Sequence, residues 1–179
     1  KVSIVSGASY GMGQTMAELF AKEGAKVVMT ARGQEKLDAA VAEIRAKGYD
    51  VTGVVADNKK LEDVQRVIQT ALDVYGNLDI VINNAAIGEQ KMIDETDDEW
   101  LEHVYQTNVF GPFRFIREAL KIFMPKNEGC IINISSVIST FSKIPPRWLL
   151  FFDLHLFFWV HLLLFNFLRS ALFIISAKN

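Results

Sequence analysis

Residues 2–13 decide the fold, and they read VSIVSGASYGMG. The first four of them form an apolar, β-branched run that predicts a strand, and a helical pattern follows at residues 15–22. Gly7, Gly11 and Gly13 lie between the two with the spacing Gly-x-x-x-Gly-x-Gly. A glycine-rich turn from strand to helix directs backbone N–H groups and the positive helix end toward phosphate. We therefore expect a dinucleotide pyrophosphate here, the alternative being an ordinary βα turn that tolerates glycine.

The whole chain of 179 residues is long enough for one domain with a real core. Its net charge of −2, with both signs mixed, gives no basic patch for nucleic acid. Cys130 is the only cysteine, which excludes an internal disulfide framework and favours the cytoplasm. The three histidines show no metal-ligand spacing, so we predict no metal site. Because residue 1 is Lys rather than Met, we also expect the extreme N-terminus to be missing.

Short β-branched runs alternate with helical patterns through the first 140 residues. Strands are predicted at 2–5, 27–29, 51–55, 80–82 and 130–134, and helices at 15–22, 34–47, 61–75, 100–105 and 109–123. This alternation predicts an α/β fold, a doubly wound parallel sheet of the Rossmann type with helices on both faces. Ligands of such sheets bind beyond the carboxyl ends of the strands. The polar residues just past predicted strand ends are Ser9, Arg32, Asp57, Asn84 and Ser136.

Four motifs in order resemble those of the short-chain dehydrogenase/reductase family. The glycine motif is similar to the family's Thr-Gly-x-x-x-Gly-x-Gly, with Ser6 in place of Thr. The stretch NNAA at 83–86 resembles Asn-Asn-Ala-Gly, with Ala86 in place of the last Gly. Asn108 and the Ile-Ser-Ser of residues 134–136 complete the set. The resemblance covers residues 1 to about 138, a little over half of a typical member.

The resemblance implies a set of cofactor-binding residues. Asn84 and the backbone after it would line the cofactor, and Asn83 would stabilise the sheet, although both asparagines also suit a turn. The full set is Gly7, Ser9, Tyr10, Gly11, Met12, Gly13, Arg32, Asp57, Asn58, Asn84, Ala85 and Ala86.

The end of the second strand indicates the choice of cofactor. A carboxylate there would bind the 2′-hydroxyl of the adenine ribose and repel a 2′-phosphate. This chain has Ala31 at that place and Arg32 next to it, and a guanidinium binds phosphate well. We therefore favour NADP(H) over NAD(H), the alternative being that Arg32 merely faces solvent. Asp57 resembles the family's adenine-contacting aspartate, or it caps a turn.

The resemblance assigns catalytic positions to Asn108 and Ser136 but leaves the proton donor without a counterpart. In the family the matching Asn bends a helix and holds a water, and the matching Ser hydrogen-bonds a substrate carbonyl or alcohol. A Tyr and a Lys four residues later supply the proton. Here those positions hold Leu149 and Asp153, and no tyrosine follows Tyr105. We therefore expect little or no turnover of a carbonyl or alcohol substrate by this chain.

The sequence divides into residues 1–140, a dinucleotide-binding domain, and 141–179, an apolar tail unlike the family. Every glycine lies before residue 130, whereas eight of the 13 phenylalanines lie at 141 or later. We favour a shifted reading frame or mis-joined gene as the source of the tail, with the sheet truncated after its fifth strand. The alternatives are a membrane anchor at residues 148–168 and a core helix of a different kind. The missing part would include the helix through which intact relatives form homo-oligomers.

These observations give one functional prediction with two alternatives. The chain is expected to descend from an NADP(H)-dependent short-chain oxidoreductase that transfers hydride between a carbonyl and an alcohol. It is expected to be inactive in this form. The alternatives are a non-catalytic dinucleotide-binding module and a membrane-anchored reductase fragment.

Overall fold

The computed structural model describes residues 1–88 and 93–135. Five strands and five α-helices alternate along most of this part. The strands are β1 (Val2–Ser6), β2 (Lys26–Ala31), β3 (Val51–Val55), β4 (Ile80–Asn83) and β5 (Cys130–Asn133). The helices are α1 (Gly11–Lys22), α2 (Gln34–Ala46), α3 (Leu61–Tyr75), α4 (Asp98–Tyr105) and α5 (Gly111–Lys126). A 3₁₀ turn covers Ile93–Glu95, and a π-helical turn, Gln106–Phe110, joins α4 to α5.

The strands form one parallel sheet in the order β3-β2-β1-β4-β5. The predicted doubly wound α/β fold is confirmed for these five strands. The strand order reverses between β1 and β4, because the chain builds outward from β1 first in one direction and then in the other. The carboxyl ends of β1 and β4 therefore border the crevice in which ligands of such sheets bind.

Two apolar layers cover the sheet, one on each face. On one face α1 and α2 pack through small and branched side chains, including Ala17 and Leu37, against Val5 and Val27. On the other face α3 and α5 pack against Ile4 and Val81, and Phe115 and Phe123 are fully buried there. Burial on both faces explains why β1 is an apolar run without alternation.

Helices α1 and α5 differ most in extent from the sequence prediction. Helix α1 begins at Gly11, four residues before the predicted start at residue 15, because its first turn contains two glycines that carry no helical signal. Helix α5 starts at Gly111 and continues past Pro125 to Lys126, whereas the sequence pattern predicts 109–123. The helix tolerates Pro125 near its end and closes at Asn127, whose φ of 50° is left-handed.

Several predictions lie outside the described residues. They are the catalytic position Ser136, the positions of Leu149 and Asp153, and everything said of residues 141–179, including the span at 148–168. Within residues 1–88 and 93–135, no helix is both long and apolar enough to cross a bilayer.

Candidate functional site

The turn after β1 is shaped by glycines whose positions admit no side chain. Gly7 has a φ of +67°, and a Cβ there would lie 2.8 Å from the Cα of Ala85. A Cβ on Gly13 would lie 2.1 Å from the carbonyl oxygen of Gly7. These two glycines therefore let the turn after β1, the loop after β4 and the start of α1 approach one another closely.

Gly11 differs because its surroundings are open. Its φ of +59° is also left-handed, but a Cβ there would meet no atom of the described residues within 4 Å. It starts α1, where Tyr10 provides no side-chain cap and the first turn contains no acidic residue. No side-chain cap and no acidic residue of the first turn thus compete for the first N–H groups of the helix. These residues fit a dinucleotide diphosphate, which needs close backbone approach and unpaired N–H groups.

Ser6 and Asn84 hold this turn to the neighbouring loop after β4. The Ser6 hydroxyl accepts hydrogen bonds from the amides of Asn84 and Ala85, each at 3.0 Å. The Asn84 side-chain amide donates to the carbonyl oxygens of Ser6, at 2.9 Å, and Gly7, at 3.2 Å. Asn84 therefore fixes the backbone of the glycine turn, while Ala86 lies exposed beyond it.

Asn83 contacts the sheet rather than the glycine turn. It is paired in register with Asn133 of β5, and its side-chain nitrogen donates to the Asn133 side-chain oxygen at 2.9 Å. This contact joins β4 to β5 at their carboxyl ends. The Asn83 side-chain oxygen is buried and has no partner among the described residues.

Basic side chains follow β2 on the other side of the crevice. Arg32 is exposed and, among the described residues, forms no hydrogen bond or ion pair. Lys36, in the first turn of α2, extends over the ring of Tyr10 with its Nζ 5.8 Å from the ring centroid. Tyr10 and Met12 are highly exposed, and Ser9 is half-buried beside them.

Asp57 and Asn58, after β3, form structural contacts. The Asp57 carboxylate accepts from the Lys59 amide at 3.0 Å, as in an Asx turn. The Asp57 amide donates to Asp63 at 2.8 Å, and this bond, with the charge of Arg66, lowers the pKa of Asp63. Asn58 is buried beneath Gly111, whose Cβ would lie 3.0 Å from that of Asn58. An adenine contact by either residue stays a prediction.

Asn108 lies in the π-helical turn between α4 and α5. Its side chain forms two hydrogen bonds with the backbone of Ile87, accepting from the N–H at 2.9 Å and donating to the carbonyl at 2.7 Å. A π turn inserts one extra residue into a helix and is frequent at functional sites. Asn108 thus ties the loop after β4 to the start of α5.

Sequence reasoning misses three contacts around the site. In the sequence Ser6 is only a substitute within the glycine motif, yet its hydroxyl is the acceptor that joins two loops. Asn133 has one available signal, a polar residue in an otherwise apolar strand. The position of Lys36 over Tyr10 has no sequence signal, because it depends on the angle between α2 and the glycine turn. In the described part of the chain, no group of three His, Cys, Asp or Glu residues is arranged to hold a metal.

Comparison with curated proteins gives relatives with oxidoreductase names. The chain is 36% identical over 138 residues to an uncharacterised oxidoreductase of Bacillus subtilis, a match covering 76% of the chain and 39% of that protein. It is 34% identical to the 3-oxoacyl-(acyl-carrier-protein) reductase of Staphylococcus aureus, covering 77% and 56% respectively. The chain thus spans about half the length of the curated relatives it matches.

Solved structures show the same architecture. An actinorhodin polyketide ketoreductase, crystallised with NADPH, superimposes with a TM-score of 0.77 at 29% identity over 80% of this chain and 56% of its own. A short-chain alcohol dehydrogenase described for Sinorhizobium meliloti superimposes with a TM-score of 0.75 at 31% identity, over 82% of this chain and 58% of its own.

Residues 1–145 match the family described as short chain dehydrogenase. With its Rossmann sheet and glycine turn, the chain belongs to the short-chain dehydrogenase/reductase family.

Proposed function

We propose that this chain binds NADP(H) at the carboxyl edge of its sheet, as the dinucleotide-binding portion of a short-chain oxidoreductase. The observation that carries this proposal is the open, uncapped start of α1 at Gly11, beside a turn that Asn84 holds in place. Nicotinamide dinucleotides are the cofactor class indicated by the family and by the NADPH-bound structural neighbour. Gly7, Gly11 and Gly13 would provide the close backbone approach, with Ser9, Tyr10 and Met12 around the turn.

The preference for NADP(H) over NAD(H) depends on the end of β2. Ala31 and Arg32 replace the carboxylate that would bind an unphosphorylated ribose and repel a phosphate. Arg32 is exposed and has no partner among the described residues, so its guanidinium is available to a 2′-phosphate. The S. aureus relative is a 3-oxoacyl reductase and the structural neighbour a ketoreductase with NADPH, which supports a carbonyl or alcohol as the ancestral substrate.

Catalysis by this chain is proposed to be impaired. A bound nicotinamide supplies or accepts the hydride, and Asn108 and Ser136 would help to position the carbonyl and its proton. Family members donate the proton from a Tyr that a Lys assists, but the corresponding residues here are Leu149 and Asp153. Because Leu149 has no ionisable proton, the developing alkoxide would lack this donor. We therefore propose that this chain acts as a non-catalytic dinucleotide-binding module.

The organisation and location of the chain are also proposals. We place the binding function in a domain of residues 1–140 and treat residues 141–179 as a separate tail. The cytoplasm is the compartment that the single cysteine favours, and a homo-oligomer is the assembly expected for intact relatives. A membrane-associated tail is the minor alternative, and fractionation of the expressed chain distinguishes the two.

Binding and turnover are tested separately on the full 179-residue chain. Calorimetric titration with NADPH and with NADH should show binding of both, with NADPH binding more tightly. The same preparation, mixed with NADPH and simple ketones, keto-esters and sugars, should not oxidise NADPH above the uncatalysed rate. Absence of binding by either dinucleotide contradicts the proposed site. Turnover at ordinary dehydrogenase rates contradicts the proposed loss of catalysis.

A further inference from the structure

Met12 is a highly exposed methionine within the glycine motif. It is 68% exposed, whereas Met29 in β2 is fully buried and Met16, about one turn further along α1, is half-buried. Both sequence neighbours of Met12 are glycines, so neither has a side chain that could shield the thioether. Met124 in α5 is the other highly exposed methionine of the described residues, at 56%. Solutes therefore reach Met12 and Met124 but not Met29.

An exposed thioether is the group of this site that a peroxide oxidises. The methionine sulfur attacks one oxygen of hydrogen peroxide, the O–O bond breaks and an S=O bond forms. The proton of the transferred OH group passes through solvent to the leaving hydroxide, which gives water, so sulfur loses two electrons and the peroxide gains them. Cys130 competes poorly, because it is half-buried and burial raises the pKa of its thiol, which disfavours the reactive thiolate.

The position of Met12 brings a sulfoxide oxygen close to the first N–H groups of α1. Met12 is the second residue of that helix, and helical side chains lean back toward the N-terminus, so its flexible side chain can reach the helix start. Tyr10 provides no side-chain cap there, and the first turn contains no acidic residue. A thioether accepts hydrogen bonds weakly, whereas the polar sulfoxide oxygen can accept from these N–H groups as a capping side chain does.

We propose that Met12 is a site of reversible oxidation by peroxide, and that its sulfoxide oxygen weakens dinucleotide binding by occupying the start of α1. The inference rests on the proposed dinucleotide binding and deepens it, because it makes that binding depend on the redox state of one side chain. The partial negative charge of the sulfoxide oxygen opposes the negative diphosphate at the same helix end. NADPH and NADH share the diphosphate, so both bind more weakly. Met124 lies two residues before the end of α5, which leads to the amino end of β5, so its oxidation leaves binding unchanged.

The test compares Met12→Leu with Met124→Leu, each of which replaces one exposed thioether by an apolar side chain of similar size. The full 179-residue chain and both variants are treated with hydrogen peroxide, and peptide mass spectrometry gives the oxidised fraction of each methionine. After removal of the peroxide, calorimetry gives the dissociation constants for NADPH and NADH, and thermal melts check folding. With Met12 fully oxidised, the wild type and Met124→Leu should bind both dinucleotides about fivefold more weakly than before treatment. For Met12→Leu, the constants before and after treatment should agree.

The outcomes separate this inference from the function on which it rests. If the untreated wild-type chain binds neither dinucleotide, the proposed function fails and the role of Met12 fails with it. If the untreated chain binds them, only the role of Met12 is overturned by any of three results. These are a Met12 that resists the peroxide, constants that do not change when Met12 is fully oxidised, and an equal loss of affinity in treated Met12→Leu.

Reversal is the last part of the test. Methionine sulfoxide reductases of both stereospecificities are added to the oxidised wild type until mass spectrometry shows that Met12 is again a thioether. The original dissociation constants should return. A loss of affinity that remains after this reduction contradicts a reversible site at Met12.

Discussion

The two edges of the sheet use polar residues in opposite ways. At the carboxyl edge, Ser6 and Asn84 hydrogen-bond to backbone, the start of α1 has no side-chain cap, and Arg32 is exposed. At the amino edge, Asp79 is buried and accepts from the Val2 amide at 2.7 Å. Charged groups there are paired with each other. The carboxyl edge thus leaves polar groups for the dinucleotide proposed above, whereas those of the amino edge hold strands together.

The pairing at the amino edge involves both ends of the described chain. Lys126, at the end of α5, donates to Leu78 and Asn77 and lies 3.4 Å from Asp79. Lys1 is paired with Glu128 and lies 3.8 Å from Asp79. A cavity of about 390 Å³ is also present at this edge, but the charges of Lys1 and Lys126 are already neutralised. These two lysines therefore serve contacts within the protein.

Substituting alanine for Gly13, at the carboxyl edge, or for Gly129, at the amino edge, should have the largest effect on stability. A Cβ on Gly13 would lie 2.1 Å from the Gly7 oxygen, and one on Gly129 would lie 2.2 Å from the ring of Phe123. Because Phe123 is fully buried and the Gly7 oxygen is backbone, neither neighbour moves easily. Each substitution should lower the free energy of unfolding by about 3 kcal/mol, measured by denaturant titration.

Binding then distinguishes the two glycine variants. Gly13→Ala displaces the turn from Asn84 and should weaken NADPH binding at least about tenfold. Folded Gly129→Ala should bind NADPH like the wild type, because its clash lies at the amino edge. Gly88→Ala is the matched control, since its Cβ would meet no described residue within 4 Å. An equal loss of NADPH affinity in Gly13→Ala and Gly129→Ala would contradict the claim that the dinucleotide binds at the carboxyl edge alone.

Asp79→Asn tests the amino edge with a milder change. Burial alone would raise the pKa of Asp79, but the Val2 amide and the charges of Lys126 and Lys1 outweigh it and lower that pKa below 3.8. A lowered pKa means that the ionised carboxylate stabilises the fold above about pH 4 and that this stabilisation is lost at more acidic pH. The variant should lose about 2 kcal/mol of unfolding free energy at pH 7, with unchanged NADPH affinity.

The pH profile is the control for Asp79→Asn. Unfolding of both proteins is followed from neutral pH down to about pH 3, and the difference in stability should shrink as the pH falls toward the pKa of Asp79. A difference that stays constant over this range would show that the charge of Asp79 does not contribute.

Alanine in place of Ser6 or Ser3, both on β1, should have the smallest effects on stability, and the two effects should differ. Ser6→Ala removes the acceptor of the Asn84 and Ala85 amides, so it should cost about 1–2 kcal/mol and weaken NADPH binding. Ser3 is equally buried, but its hydroxyl has no partner among the described residues. Ser3→Ala should therefore change the unfolding free energy by less than about 0.5 kcal/mol. A larger loss in Ser3→Ala than in Ser6→Ala would contradict this assignment of hydrogen bonds.

The fold was predictable from sequence because apolar strands and helices that end near glycine alternate along the chain. Each strand is an apolar run, and each of the first three helices ends near a glycine, which sets strand and helix bounds to within a few residues. The glycine motif also located the turn, since Gly7 and Gly13 occupy places where a Cβ does not fit. These signals are local, so they depend little on tertiary structure.

The contacts that complete the site depend on tertiary structure and were less predictable. Asn84 and Ser6 are 78 residues apart, and their pairing follows from the adjacency of β1 and β4. The two bonds between Asn108 and Ile87 require the π turn, which has no periodic signal of its own. Asp57 and Asn58 follow β3 as predicted, yet their contacts in the structure are with the Lys59 amide and Gly111.

The central claim is that a dinucleotide binds at the carboxyl edge through the backbone of the glycine turn. NMR spectra of the ¹⁵N-labelled chain, recorded while NADPH is added, test it most directly. The amide signals of residues 9–14 and of Ala85 should shift in proportion to saturation, while those of Val2, Asp79 and Cys130 stay in place. Shifts confined to the amino edge, or none at saturating NADPH, would contradict the claim.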